Sequence, residues 1–445
     1  MNSRRDFLKK AGLGAASLTL GGLGLSAASY KRVLGSNERM NIAIIGCYRR
    51  FDAYMETLPK LAGDINLAYV CDVDQVRLDR AAARVNESMG YMPGKEQDLR
   101  KILDDNKVDA IFNATPDHWH APATFMALKA GKHVYLEKPC SHNPREGELL
   151  IEFQKKYNKV IQLGTQQRSA IESNEIIREI HAGIIGEPYM GLAFYSNSRG
   201  RVPDPQQVPP PASLNWELFQ GPAPREPYMD IYFDYNWHWY WQYGTGETGN
   251  NAVHELDICR WALKLNYPKR VEVVARKQHF ADDGWTMYDT MDATFMFGNG
   301  KIIKWDGKSR TNYYTYGMDR GSIIYGTKGT VIMNRNGYRV FDLAGKLTAE
   351  RKSEDIAQTT QPGGAGGMDG IHIMNFVDVI RGKANKLNQP IDEGHKSTLL
   401  GHLANISYRV DEALDIDDSN GRIIKNKKAS KLWSREYEKG WEPEL

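Results

Sequence analysis

The strongest constraint in this chain is an alternation of short apolar runs with helix-patterned stretches between residues 41 and 163. The first run, Asn41-Ile42-Ala43-Ile44-Ile45-Gly46, is almost continuously apolar and stops at glycine. A strand buried on both faces of a parallel sheet reads this way. A helical stretch follows at 53–61, then a strand at 66–72, a helix at 77–89 and a strand at 109–114. A helix at 121–130, a strand at 133–136, a helix at 146–157 and a strand at 160–163 complete the series. Strands and helices of these lengths in alternation predict an α/β doubly wound parallel sheet.

The pattern changes after about residue 186. The segment 202–227 is too proline-dense for regular elements. Alternating runs at 270–277, 293–297, 301–305 and 321–325 predict a mainly antiparallel open sheet, with Gly298-Asn299-Gly300 as a hairpin turn. A glycine-rich loop at 363–370 precedes two closing helices at 371–381 and 395–411. The expected organisation is a leader and linker (1–35), a parallel-sheet domain (36–160) and an α+β domain (161–445). A chain of 445 residues is long enough for two cores.

Lys+Arg 58 against Asp+Glu 55 leaves a net charge of +3, so charge gives no case for nucleic acid or an anionic membrane. Trp 10 and Tyr 23 supply many rings, which suit the apolar faces of sugars as well as cores. Cys47, Cys71, Cys140 and Cys259 form no CxxC pair, which argues against a zinc knuckle or redox dithiol. Cys47 and Cys71, beside predicted strand ends, are expected as buried thiols outside any disulfide framework.

The N-terminus reads Ser3-Arg4-Arg5-Asp6-Phe7-Leu8-Lys9-Lys10, followed by an Ala/Gly/Leu-rich stretch to Ala28. It resembles a twin-arginine signal peptide, the alternative being a basic helix. The expected partner is the twin-arginine translocase and the expected location periplasmic or otherwise exported. The apolar run is too short and diluted for a stable membrane span. Small residues at 26–28 suit cleavage, and no cysteine follows to carry a lipid.

After the first strand, Gly46-Cys47-Tyr48-Arg49-Arg50-Phe51 retains only the first glycine of a G-x-G-x-x-G fingerprint. Asp72 ends the second strand 26 residues later, where an acid accepts both ribose hydroxyls of a dinucleotide. Arg49 and Arg50 would place positive charge near phosphate. An acid at that strand end repels a 2′-phosphate, which favours NAD over NADP. A strand-turn-helix without cofactor is the alternative.

Thr115-Pro116-Asp117-His118-Trp119-His120 follows the third predicted strand, and Glu137-Lys138-Pro139 the fourth. Open α/β sheets bind ligands at these carboxyl ends. Later, Gly244-Thr245-Gly246-Glu247-Thr248-Gly249-Asn250 leads into Asn251-Ala252-Val253-His254-Glu255-Leu256-Asp257. Helical spacing would put Asn250, His254 and Asp257 on one face. The His118-x-His120 pair lacks a third ligand nearby and His254-Glu255 does not extend to HExxH, so no metal is expected.

T-P-D-H-W-H and E-K-P in this order, followed by G-x-G-E-x-G-N and H-x-x-D, resemble the glucose-fructose oxidoreductase, inositol dehydrogenase and MocA family. The likeness spans roughly residues 40 to 410 by motif order, and the later motif resembles an exported branch. The resemblance implies a Rossmann first domain, NAD, a sugar, glycoside or polyol substrate, and a homodimer or homotetramer. It implies that Lys138 reaches the reacting hydroxyl and the nicotinamide, and that His254 takes or returns the hydroxyl proton. Loss of hydride from a carbinol leaves its oxygen electron-poor, so the proton must leave too. Histidine suits that exchange, and a nearby ammonium stabilises alkoxide character and lowers the histidine pKa.

Asn250 stands where many relatives carry aspartate. It can orient a hydroxyl but not hold charge, which leaves Lys138 and His254 as the working pair. Asp257 orients His254 or makes a structural bond. Thr115, Pro116, His118, His120, Glu137 and Gln166 are expected on the cofactor side. Gln167 and Arg168 are expected near substrate hydroxyls, with capping or surface packing as the alternative. Trp237-His238-Trp239-Tyr240-Trp241 alternates like a strand. Half its rings are expected in the core, and Trp237, Trp239 and Trp241 supply the candidate sugar platform. The leading expectation is a sugar or polyol oxidoreductase. The alternatives are an NAD-dependent glycosidase working through transient oxidation and elimination, and a cofactor-free sugar-binding or sensor protein.

Overall fold

A computed structural model describes residues 39–352 and 367–445. The candidate signal peptide and residues 363–366 of the glycine-rich loop lie outside the described residues.

The first sheet contains β1 (Met40–Ile45), β2 (Ile65–Cys71), β3 (Gly94–Glu96), β4 (Ala110–Asn113), β5 (His133–Leu136) and β6 (Ile161–Leu163). Their order is β3-β2-β1-β4-β5-β6, and every pairing is parallel. The helices are α1 (Arg49–Thr57), α2 (Gln75–Met89), α3 (Leu99–Leu103), α4 (Asp117–Lys129) and α5 (Pro144–Tyr157). In β1, Ile42 and Ile44 enter one core cluster, while Ala43 and Ile45 enter another on the opposite face. Burial on both faces is why this strand reads as an unbroken apolar run. Strand order reverses between β1 and β4, which opens a crevice at their carboxyl ends.

Several local differences from expectation have physical causes. The Gly94-Lys95-Glu96 edge strand is too short and polar to announce itself. The sheet continues through Leu163, past the boundary placed at residue 160. Helix α4 begins at Asp117, so His118 and His120 lie in its first turn. Pro122 within it donates no N–H. The carbonyl four residues back, on His118, instead accepts a hydrogen bond from Arg435 at 2.6 Å.

The second part contains α6 (Ile171–His181), β7 (Pro188–Ser198), α7 (Trp216–Gln220), α8 (Val253–Leu263), β8 (Arg270–Arg276), β9 (Thr290–Met296), β10 (Ile302–Lys308) and β11 (Arg310–Thr311). It continues with β12 (Arg320–Gly326), β13 (Gly329–Asn334), β14 (Gly337–Asp342), β15 (Leu347–Lys352), α9 (Gly367–Ile380), α10 (Ile391–Val410), β16 (Leu414–Ile416) and β17 (Ile423–Ile424). The path order is β15-β14-β13-β12-β7-β10-β9-β8-β16-β17, with β11 beside β7. Only β7 and β10 pair in parallel among the described strands of this sheet. The central strand β7 was not legible because Pro188 and Gly191 interrupt its pattern. Gly191 is a packing residue: a Cβ there would lie 2.9 Å from Cys259 of α8.

Residues 236–239 form a 3₁₀ turn, not the expected strand. The three indoles pack in three different places. The last helices join both cores. Ile373, Phe376 and Val377 of α9, assigned from sequence to the second domain, pack with Tyr54, Phe112 and Tyr135 of the first. Phe376 lies 6.1 Å from the Phe112 ring centroid and 5.9 Å from that of Tyr135. Helix α10 gives Ile391 to the first core and Leu399 and Leu403 to the second. No helix among the described residues is long and apolar enough to cross a membrane. Phe376→Ala should lower unfolding free energy by about 3–5 kcal/mol. Urea titration should show an earlier midpoint with an unaltered slope; an unmoved midpoint would mean that α9 does not complete the first core.

Candidate active site

The crevice at the carboxyl ends of the first sheet opens into a cavity of about 470 Å³. At one end stand Gly46, Tyr48, Arg49 and Asp72. Gly46 has φ +93°, and a Cβ there would overlap the Ala114 carbonyl oxygen. Only glycine lets the β1–α1 and β4–α4 turns come this close. Helix α1 starts at Arg49 with no side-chain cap, leaving backbone N–H groups for an anion. The Asp72 carboxylate accepts from the backbone N–H of Cys47 at 2.7 Å and of Asp74 at 3.0 Å. Burial pushes its pKa up, opposed by these two bonds. A carboxylate has about four acceptor positions, so it retains capacity for ribose hydroxyls.

Tyr48, in place of the second fingerprint glycine, is drawn aside. The Arg77 guanidinium lies 4.1 Å from its ring centroid and 3.7 Å from that of Phe233. The Tyr48 ring is therefore part of the cavity wall rather than its plug. An uncapped helix start, a glycine turn that a Cβ would block and an acid at the end of β2 fit NAD.

Lys138, after β5, and His254, in the first turn of α8, line the other end of the same cavity. The Lys138 ammonium donates to the Asn250 carbonyl at 2.7 Å. Burial lowers its pKa to about 8; Asp117 and Glu137 oppose that, while Arg320 and Arg335 add to it. His254 is 6% exposed and lines the cavity. Burial, then the positive charges of Arg335, Lys138 and Arg320, hold it well below its ordinary pKa. The result is a neutral imidazole beside an ammonium.

Asn250 acts differently from expectation because residues 248–252 form a π-turn ahead of α8. Its carbonyl meets Lys138, while its amide donates to Glu247 at 3.2 Å and the Tyr235 hydroxyl at 3.3 Å. Asp257 is a structural anchor. It accepts from Arg168 at 2.7 and 2.8 Å, from Ser397 at 2.6 Å and from Gln389 at 3.0 Å, with no bond to His254. Arg168, expected at substrate, is thereby committed outside the cavity. Gln167 is buried and also outside it.

Thr115, Pro116, His120, Glu137 and Gln166 line the cavity as expected. His120 bridges the Pro139 carbonyl at 2.5 Å and the Thr115 carbonyl at 2.8 Å. Gln166 donates to Tyr135 at 3.2 Å and Glu137 at 3.1 Å. His118 does not reach the cofactor crevice. It donates through Nε2 to the Phe219 carbonyl at 2.8 Å and sits among Trp119, Phe219 and Tyr243. Arg50 lines the cavity, but its guanidinium is held by Glu137 at 2.7 Å and Asp369 at 2.9 Å, not free for phosphate. Of the three tryptophans only Trp237 lines the cavity. Trp239 stacks on Trp285 at 4.0 Å, and Trp241 lies over Tyr408 at 6.3 Å.

Sequence reasoning missed Asp117, Arg199, Tyr235, His238, Arg320 and Arg335, all of which line the cavity. Asp117 and His238 lay within motifs already singled out. Arg320 comes from β12 and Arg335 from the β13–β14 turn, whose sequence carries no sign of this neighbourhood. Gly46→Ala should cost the protein its retained NAD. The check is cofactor released on denaturation; a full complement in the variant would mean that the β1–α1 turn is not the cradle.

Comparison with known proteins agrees with this geometry. Residues 40–165 match a model described as oxidoreductase family, NAD-binding Rossmann fold, and residues 189–443 match its C-terminal alpha/beta domain. An alpha-N-acetylgalactosaminidase of Shewanella oneidensis is 26% identical over 209 residues, 43% of this chain and 45% of that protein. A glycosyl hydrolase family 109 protein of Saccharopolyspora erythraea is 30% identical over 210 residues, again 43% and 45%. The chain thus spans under half the length of these curated relatives. The solved WlbA dehydrogenase from Chromobacterium violaceum, with NADH and UDP-GlcNAcA, has TM-score 0.64 at 19% identity, covering 86% of this chain and 98% of that one. Levoglucosan dehydrogenase with NADH and L-sorbose has TM-score 0.64 at 18% identity, covering 86% and 100%. With both domains matched in order, the chain belongs to the glucose-fructose oxidoreductase, inositol dehydrogenase and MocA family of NAD-binding oxidoreductases.

Proposed function

We propose that this protein is an exported oxidoreductase that moves hydride to or from a hydroxyl carbon of a sugar, glycoside or polyol. One observation carries the proposal: Lys138 from the first domain and His254 from the second line one cavity whose far end holds Gly46 and Asp72. When bound, NAD supplies the hydride acceptor. The neutral imidazole of His254 takes the hydroxyl proton as the C–H bond breaks. The Lys138 ammonium donates to the oxygen as alkoxide character grows. In the reverse direction His254 returns the proton.

A second reading is an NAD-dependent glycosidase, favoured by the glycosidase names of the relatives. It begins with the same oxidation. The neighbouring C–H is then acidified, the aglycone leaves, water adds and hydride returns. Export by the twin-arginine route to the periplasm or beyond is part of the proposal, supported by Arg4-Arg5 and Phe7-Leu8-Lys9. A homodimer or homotetramer is what the family resemblance supports.

Protein exported by its own host should release NAD on denaturation; a cofactor-free supernatant would remove the oxidoreductase reading. Incubation with a glycoside and no added oxidant then separates the two reactions, since net aglycone release identifies hydrolysis. His254→Ala should lower kcat by roughly 10²–10⁴-fold. The Lys138 ammonium is present below pH about 8 and lost above it. Single-turnover oxidation should therefore fall as pH rises through about 8, and Lys138→Met should abolish that limb. A limb that persists in the variant would assign it to another group.

A further inference from the structure

The cavity wall includes a two-residue hairpin tip, Arg335-Asn336, where Asn334 of β13 pairs with Gly337 of β14. The tip is firmly shaped. The Asn336 N–H donates to the Asn334 side chain at 2.8 Å, and Gly337, at φ +131°, packs where a Cβ would overlap the Arg351 carbonyl. Two polar atoms of this tip are buried without any partner: the Arg335 Nε donor and the Asn336 Oδ1 acceptor.

Of the five other guanidiniums in the cavity wall, Arg49 lies 4.1 Å from the Tyr235 ring centroid and four have carboxylate partners. Arg199 donates to Glu247 at 3.0 Å, Arg320 to Glu255 at 2.8 Å, Arg77 to Asp234 at 2.7 Å and Arg50 to Glu137 at 2.7 Å. Arg335 forms no ion pair among the described residues. Burial and the neighbouring Arg320 lower its pKa to about 10, against the opposing pull of Glu255 and Asp369 at longer range. It lines the same cavity as Lys138 and His254, and its charge helps to hold His254 below its ordinary pKa. An unpaired, largely desolvated guanidinium is costly unless an anion completes it. Its planar fork suits carboxylate, sulfate or phosphate oxygens.

We propose that Arg335, with the Asn336 amide beside it, recognises an anionic oxygen group on the substrate, so that the preferred substrate is an acidic sugar. The neighbouring Asn336 Oδ1 would accept a hydrogen bond from a hydroxyl of the same sugar. This assignment rests on the sugar reading of the same cavity.

The test is calorimetric binding to the full-length protein, with three matched sets: glucuronate, galacturonate and mannuronate, the corresponding 6-sulfates, and the parent neutral hexoses. At least one acidic probe should bind about ten-fold or more tightly than its neutral parent. Preference for the uronate identifies a carboxylate, and preference for the 6-sulfate a sulfate ester. R335Q should bring the ratio to parity with melting temperature no lower and NAD content unchanged, and R335K should leave an intermediate ratio. Should R335Q not fold, the R335K ratio and the loss of preference with added salt in the unaltered protein decide. Parity in the unaltered protein, or full preference surviving substitution, overturns the assignment. NAD measured in the same samples separates the two ideas: NAD present with parity overturns only the anion site, whereas acid preference without NAD upholds it and overturns the oxidoreductase reading.

Discussion

Two short polar links hold the reacting ends of the two sheets together. The Lys138 ammonium donates to the Asn250 carbonyl at 2.7 Å, and the Asp117 carboxylate accepts from the Thr245 hydroxyl at 2.6 Å and its N–H at 3.1 Å. Hydrogen bonds to charged groups contribute roughly 1.5–3 kcal/mol each. Their larger effect is positional. Each ties a residue after a strand of the first sheet to the segment that enters α8, so ammonium and imidazole arrive at one cavity by construction.

Burial then sets the protonation states. His254 lies among cations and loses its tendency to bind a proton, while Lys138 is brought toward neutrality by the same desolvation. Glu137 moves the other way: burial would raise its pKa, but Arg50 and Lys138 hold it below the usual carboxylate range. Opposite shifts in neighbouring groups are what acid–base chemistry near neutral pH requires. Most of the surrounding charge is matched pair by pair, which leaves the few unmatched atoms conspicuous.

Much of the first domain was legible because its rules are local. Ile42 to Ile45 had to be a doubly buried strand, and the segment closing at Leu136 delivered Lys138 to a carboxyl end. Asp72 was found by the same logic. His118 was not: its position in the first turn of α4 aims it at Phe219, a contact set by a distant segment. Trp239 and Trp241 failed as platform residues for a similar reason, because alternation in sequence says nothing of the 3₁₀ turn that redirects each indole. Arg50 looked free for phosphate until Glu137 and Asp369 were brought beside it.

The sequence by itself determined most of the strand and helix series of the first domain and the chemical types in its motifs, which follow from periodicity and spacing acting over a few residues. The pairing of Lys138 with His254 was what the family resemblance implied. Only the tertiary structure decided that α9 completes the first core, that Asp257 anchors Arg168 rather than His254, and that Arg335 lines the same cavity as His254. These depend on which surfaces exclude water together, and desolvation is a property of the assembled neighbourhood, not of any residue read alone.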